Sequence, residues 1–199
     1  MIDFWNERYA QEEYAYGLQP NVFFKDAIGK IPKGKLLFPA EGEGRNAVFA
    51  AQLGHEVHAF DTSKEAKNKA DKLAQRYGVT LDYSVGDLET LNYPESYFDA
   101  VILIYAHVPP EIRTAFFQHL LRLLKPNGQI IFEGFSQGQL NYTSGGPKNS
   151  EMLFSESQVK KDFPNVAFYF LTTEVINLDE GKFHQGLGSV VRFIAKKLS

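Results

Sequence analysis

The chain of 199 residues contains no cysteine, which excludes disulfides, thiolate metal clusters and a cysteine nucleophile. It also lacks a strong charge of either sign, since 21 Lys and Arg against 24 Asp and Glu leave a net charge of −3. Covering a phosphate backbone or an anionic membrane takes a concentrated basic face, so neither nucleic acid nor membrane is expected as a partner. No apolar run approaches the roughly 20 residues of a membrane span. The opening Met1-Ile2-Asp3-Phe4-Trp5-Asn6-Glu7-Arg8 is acidic where a secretory leader is positive, so a cytoplasmic protein is expected. What is present is an ordinary globular mixture, 44% hydrophobic and 23% charged. That composition suits one core and a single domain over residues 1–199, working as a monomer or weak dimer.

From Lys35 onward short apolar runs alternate with longer amphipathic ones, the pattern of a sheet covered by helices on both faces. Residues 36–40 predict a strand running into Glu41-Gly42-Glu43-Gly44, residues 46–53 a helix closed by Gly54, and residues 56–60 a second strand ending at Asp61. The next helix carries Ala66, Ala70, Leu73, Ala74 and Tyr77 on one stripe. Thr62 and Glu65 are spaced as a capping box before it, and Gly78 follows it. Residues 79–85 predict a short strand before Gly86-Asp87-Leu88. The uniformly apolar stretch 99–105 predicts a central strand buried on both faces. Pro109-Pro110 opens a helix with Ile112, Phe116, Leu120 and Leu123 inward, and Lys125-Pro126-Asn127-Gly128 turns it into a strand over 129–133. Residues 134–150, rich in Gly, Ser, Asn and Gln, predict a long surface loop of the kind that carries function. Ser155-Glu156-Ser157-Gln158 caps a short helix. The β-rich runs 166–178 and 189–196 have no room for a crossover between them, so they are expected to pair antiparallel.

The spacing Gly42-x-Gly44-x-x-Ala47, between a strand and a helix and with Asp61 about 20 residues on, is a weak form of a dinucleotide fingerprint. Glycines let a ligand approach backbone N–H groups, and a carboxylate at the next strand tip accepts from ribose hydroxyls. The plain alternative is a tight turn with Asp61 as a surface cap. Glu41 and Glu43 place negative charge around the turn, hostile to a pyrophosphate but compatible with a cationic sulfonium or ammonium. At the third strand tip, Asp87-Leu88 is suited to reading an adenine amino edge, or is an ordinary Gly-Asp turn.

With these motifs in order, the chain resembles the class I S-adenosylmethionine-dependent methyltransferases over almost its whole length. The resemblance is carried by residues 37–46, His58-Ala59-Phe60-Asp61-Thr62-Ser63, Gly86-Asp87-Leu88, Phe98-Asp99-Ala100-Val101 and Leu124-Lys125-Pro126-Asn127-Gly128. Trp5-Asn6-Glu7-Arg8-Tyr9, Tyr14-x-Tyr16-Gly17 and Ser144-Gly145-Gly146-Pro147 look most like the small tellurite-resistance type. The first motif departs from the family, with Phe38 at its usual acidic position and Ala40-Glu41-Gly42 for its Gly-Cys-Gly turn.

The resemblance implies an α/β, Rossmann-like, doubly wound and mostly parallel seven-stranded sheet with an antiparallel C-terminal strand. Residues 35–199 would form this core and residues 1–30 a helical lid. It implies S-adenosylmethionine as cofactor, with methyl transfer to a small acceptor such as a thiol or metalloid oxyanion, and no metal. The backbone of Glu41, Gly42, Glu43 and Gly44 would meet the methionyl part, near Arg45 and Asn46. Asp61 would hold the ribose, Thr62 or Ser63 would flank the adenine, Asp87 and Leu88 would read its amino edge, and Ile104 and Tyr105 would lie beneath. Trp5, Tyr9 and Tyr16 belong to the aromatic N-terminal segment, which either packs as a plain helix or folds over the cofactor. If it is a lid, deleting the first 16 residues weakens cofactor affinity more than it lowers the melting temperature.

No catalytic residue stands out from the sequence. His107, Tyr105, Tyr142 and His184 are the candidates for the acceptor side, each with a plainer reading as loop or core polarity. His55 and His58 would point to opposite faces of a strand and have no third ligand, so no metal site is expected there. A nicotinamide-dependent oxidoreductase and a non-catalytic cofactor-binding module remain as alternatives.

Overall fold

In the computed structural model, which describes residues 2–199, the expected alternation is realised. Helices α1 (Ile2–Tyr9) and α2 (Val22–Ile28) precede β1 (Lys35–Pro39), α3 (Arg45–Gln52), β2 (Glu56–Asp61), α4 (Lys64–Tyr77) and β3 (Asp82–Val85). Then come β4 (Phe98–Ile104), α5 (Pro110–Leu123), β5 (Leu124–Phe135), α6 (Glu156–Asp162), β6 (Val166–Asp179) and β7 (Gln185–Lys197). The seven strands lie in the order β3-β2-β1-β4-β5-β7-β6. The pairs from β3 to β5 are parallel, and β7 pairs antiparallel with both β5 and β6. The order reverses between β1 and β4, where a doubly wound sheet opens a crevice at its strand tips. Among the described residues no helix is long and apolar enough to cross a membrane.

Strand β4 shows why the sheet is sandwiched. Val101 and Leu103 enter one core with Phe117, Leu120 and Phe132, while Ala100 and Ile102 enter the other with Phe24, Ala47 and Ala70. Helices α5 and α6 therefore cover one face and α2, α3 and α4 the other. The apolar run over β4 has no polar side because neither side meets water.

Several sequence expectations shift. The α4 cap is Ser63, whose Oγ accepts from Ala66 N, and Thr62 is exposed. The Thr62–Glu65 spacing lay one residue too early, because Asp61 accepts from Ser63 N and sets the chain's exit from β2. Tyr77 ends α4 exposed, outside the buried stripe, and Lys69 takes a place inside it. On α5 the inward residues are Phe117, Leu120, Leu121 and Leu123, with Ile112 facing out. β3 begins only at Asp82, and β5 starts earlier than expected, absorbing the turn in which Asn127 takes a left-handed φ of 65°.

The largest correction concerns residues 134–150. Gly134 and Phe135 continue β5, and Gln139 is buried in the one-turn 3-10 helix Gln137–Asn141. Gln139 accepts from Ser189 N at 2.8 Å and donates to Ser144 Oγ and Gly145 O, each at 3.0 Å. Gln137, Leu140, Asn141, Thr143 and residues 148–150 are exposed as expected, whereas Ser136, Gln139 and Ser144 are buried because their polar groups satisfy one another.

Phe193 on β7 is fully buried and stacks on Phe132 with ring centroids 4.8 Å apart, flanked by Phe163 and Phe168. Truncation leaves a cavity that three rigid neighbours cannot close. Phe193→Ala is expected to lower the unfolding free energy by about 3–5 kcal/mol in urea titration, and a loss below about 1 kcal/mol would show that the aromatic cluster is loosely packed.

Candidate functional site

Between β1 and α3 the chain turns through three left-handed residues, Ala40 (φ 50°), Gly42 (65°) and Gly44 (87°). Gly44 allows α3 to pack on α4, since a Cβ there would lie 2.6 Å from that of Ala70. Gly42 allows close approach on the other side, where a Cβ would sit 2.8 Å from Tyr9 Oη. Asp61, at the tip of β2, accepts from Gly42 N at 3.0 Å and from Ser63 N at 2.9 Å. Each oxygen takes one of these bonds and keeps a lone pair for a ligand. Burial raises the Asp61 pKa against the pull of these amides.

The two glutamates of the turn do not supply the free negative charge expected of them. Glu43 is buried, 2.8 Å from Lys69 Nζ, and accepts from Ala15 N. Glu41 accepts from Asn46 N at 3.0 Å and Ala47 N at 2.8 Å, capping α3 where Gly44 has no side chain to do so. Burial pushes its pKa up to about 7 despite those bonds. The charge facing the crevice is therefore mainly that of Asp61. Arg45 and Asn46 face the N-terminal segment: Arg45 pairs with Glu180 at 2.8 Å and Asn46 Oδ1 accepts from Asn21 N. At the third tip Asp87 is exposed and accepts from Thr90 N, forming the local turn with one oxygen spare, while Leu88 is buried.

Helix α1 lies across these tips. Tyr9 is buried against Gly42, Trp5 stacks on Tyr9 at 5.5 Å, and Asn6 Oδ1 accepts from Ser63 Oγ at 2.7 Å. A groove of about 470 Å³ lies between the end of α1 and α4, lined by Tyr9, Tyr14, Asn68 and Lys69 among others. Residues 13–15 are fastened by Lys69 and Glu43.

At the β4 tip, Ile104 and Tyr105 are half-buried, and Tyr105 takes a left-handed φ of 55°. Tyr105 Oη finds no hydrogen-bond partner among the described residues, although burial and the nearby Glu133 carboxylate raise its pKa well above the usual value. Its ring packs at 4.6 Å on both Phe135 and His184, and the His184 ring packs on Tyr16 at 4.5 Å. His107, in contrast, is a loop-ordering residue. Its Nδ1 contacts Met152 O at 2.9 Å and its Nε2 accepts from Phe135 N at 3.1 Å, and burial holds its pKa down at about 4. Neither nitrogen is left for an acceptor. Tyr142 is half-buried, and its backbone N–H closes the 3-10 turn on Gln139 O. His58 contacts Glu56 and Asp82 carboxylates, while His55 Nδ1 accepts from Gly34 N.

Sequence reasoning missed Asn21, Glu133 and Glu180. The Asn21 amide donates to Glu133 Oε1 at 2.7 Å and to Glu180 Oε1 at 2.8 Å, and Arg192 pairs with the other Glu133 oxygen. Glu180 passed as a hairpin-turn residue and Glu133 as a strand end. A charged residue closing an apolar strand was the available signal.

A model of the methyltransferase domain matches residues 39–128, which include the glycine turn, Asp61, Asp87 and the β4 tip. That match covers under half of the chain. Demethylmenaquinone methyltransferase of Renibacterium salmoninarum is 28% identical over 111 residues, 56% of this chain and 45% of that protein. Thiocyanate methyltransferase 1 of Brassica oleracea is 30% identical over 108 residues, 51% of this chain and 46% of that one. The matched part spans under half the length of either relative. The structure of TehB from Haemophilus influenzae superposes with a TM-score of 0.73 at 14% identity, covering 98% of this chain and 66% of that chain, a likeness of fold.

Glu41, in the turn after β1, makes folding depend on pH. The folded state holds its proton up to about pH 7, whereas the unfolded chain releases it near 4.5. The folded state therefore binds more protons between these values, and this contribution to stability falls as pH rises through that window. Gln at this position keeps an oxygen for the α3 amides without the charge. Urea titrations should show Glu41→Gln gaining about 1–3 kcal/mol on the natural chain between pH 5 and pH 8, and a constant difference would show that Glu41 is not held protonated.

Proposed function

We propose that the protein transfers a methyl group from S-adenosylmethionine to a small sulfur nucleophile. The observation that carries this is the convergence of Gly42, Asp61 and Asp87-Leu88 on the tips of β1, β2 and β3, beneath helix α1. The residues present fit the cofactor. Gly42 carries no Cβ on the side where Tyr9 packs, Asp61 has lone pairs to spare for ribose hydroxyls, and Asp87 has one free oxygen beside buried Leu88. The backbone of Glu41, Gly42 and Gly44 would hold the methionyl part, Thr62 and Ser63 would flank the adenine, and Ile104 and Tyr105 would support it from below. Trp5, Tyr9 and Tyr16 would close over it.

Once bound, the cofactor supplies a methyl group on a positively charged sulfur, so the chain has to align an acceptor and exclude water. Tyr9 and Trp5 exclude water from the crevice. Tyr16, Tyr105 and Phe135, with His184, form an aromatic wall at the β4 tip, an environment in which a polarisable sulfur makes favourable contacts. The thiocyanate acceptor named for the Brassica oleracea relative is of this soft type and supports the choice.

Calorimetric titration tests the cofactor. S-adenosylhomocysteine should bind and NADH should not. Asp61→Ala should weaken S-adenosylhomocysteine by 10- to 100-fold, the loss of charge-assisted hydrogen bonds to the sugar. Asp87→Ala should weaken it less, because that carboxylate is exposed to competing water. NADH binding with no response to S-adenosylhomocysteine would assign the crevice to a nicotinamide cofactor.

A further inference from the structure

Beside the β4 tip, three observations converge on one imidazole. His184 is 5% exposed, with Nδ1 3.5 Å from Glu180 Oε2. Glu180 is held from two further directions, by Arg45 Nη2 at 2.8 Å and by Asn21 Nδ2 at 2.8 Å. A carboxylate fixed in that way keeps the Nδ1–H tautomer and directs Nε2 elsewhere. The opposite edge of the ring packs against the backbone of Gly145. A Cβ there would lie 2.7 Å from Cδ2 and 3.2 Å from Nε2, and Gly145 has a φ of 125° that favours glycine. Tyr105 Oη, on the neighbouring ring, is buried without a partner, and His184 Nε2 makes no hydrogen bond among the described residues. One aromatic enclosure thus holds both a lone pair and a hydroxyl that the fold does not use.

We propose that His184 Nε2 takes the proton of a thiol acceptor and that Glu180 is the residue that positions it. This rests on the methyl-transfer reading and narrows it to an acceptor that arrives protonated, since a permanently ionised nucleophile such as thiocyanate needs no base. In the step, the acceptor S–H bond breaks with its electron pair remaining on sulfur, and a new N–H bond forms at Nε2. Glu180 balances the imidazolium, and solvent later takes the proton. Tyr105 Oη is placed to donate to the sulfur and hold it. The groups facing His184 are Glu180, Arg45, Arg8, Tyr16, Tyr105 and, more distantly, His107. Burial outweighs the pull of Glu180 and holds the His184 pKa below the ordinary value, so the imidazole is neutral and able to accept a proton near pH 7.

The test follows the imidazole signals of the full chain by NMR as 2-mercaptoethanol is added to protein saturated with S-adenosylhomocysteine at pH 7. The expected result is a shift of the His184 signals as Nε2 accepts the S–H of the thiol, with no such change on adding thiocyanate. Glu180→Gln should lower the His184 titration midpoint by one pH unit or more, and Glu180→Asp should restore part of it. In turnover, His184→Gln should reduce methylation of 2-mercaptoethanol at pH 7 by 100-fold or more, recovering toward high pH where the thiol ionises unaided. The loss with thiocyanate should be at least tenfold smaller. His184 signals that do not move on adding the thiol, or equal losses on both acceptors, would overturn the proposal. Failure of the cofactor reading shows separately, as S-adenosylhomocysteine that does not bind.

Discussion

The buried pairing of Arg45 with Glu180 is the contact on which the arrangement of the site depends. It joins the first turn of α3, which follows the glycine loop, to the turn between β6 and β7, more than a hundred residues away in the chain. Asn21 adds the N-terminal segment to the same junction by donating to Glu133 and Glu180 together. Two carboxylates this close and this buried would repel each other strongly. The shared amide and the guanidinium groups of Arg45 and Arg192 make the placement tolerable. Glu180 shows the result most clearly. Burial alone would raise its pKa, yet His184 and Arg45 outweigh burial and hold it at about 2. Such a cluster contributes more to uniqueness of arrangement than to net stability. It holds the glycine turn and the turn between β6 and β7 in one register.

The turn after β1 shows how an altered motif keeps its geometry. The family's acidic position in the first strand is taken by Phe38, which is fully buried and packs edge-to-face on Phe24 of α2. Glu41 then supplies the cap that α3 lacks at Gly44, and Glu43 fastens the N-terminal segment through Ala15 N and Lys69. Two carboxylates that read in sequence as an electrostatic lure are structural. Backbone geometry and Asp61 do the work instead, with Gly42 N held in place by the Asp61 carboxylate and Gly42 O by Tyr83 Oη at 2.6 Å.

Much was legible from the residues alone. Apolar periodicity located the seven strands and their helices, because burial on both faces leaves a continuous apolar run and burial on one stripe leaves a 3.6-residue period. Ser155 was recognised as a cap and accepts from Gln158 N. The lack of crossover length before β7 required the antiparallel pairing with β6 that is found. Errors gathered where several local signals competed: at Thr62, where the neighbouring Ser63 was the better placed oxygen, and across 134–150, where a polar composition passed for surface. Aromatic side chains in α1 were legible as something that must be covered, but not as what covers Gly42.

The order of strands, the glycine turn and the carboxylates at the strand tips are thus local properties, readable from residue types and spacing. Which histidine is free was decided only by the folded chain. His107 and His184 look alike in sequence, but His107 has both nitrogens tied to backbone groups of distant segments, Phe135 N and Met152 O, whereas His184 keeps one nitrogen unengaged and an acid behind the other. The state of an imidazole depends on desolvation and on partners brought from elsewhere in the chain. Both are long-range consequences of packing, and neither is carried by the neighbouring residues in sequence.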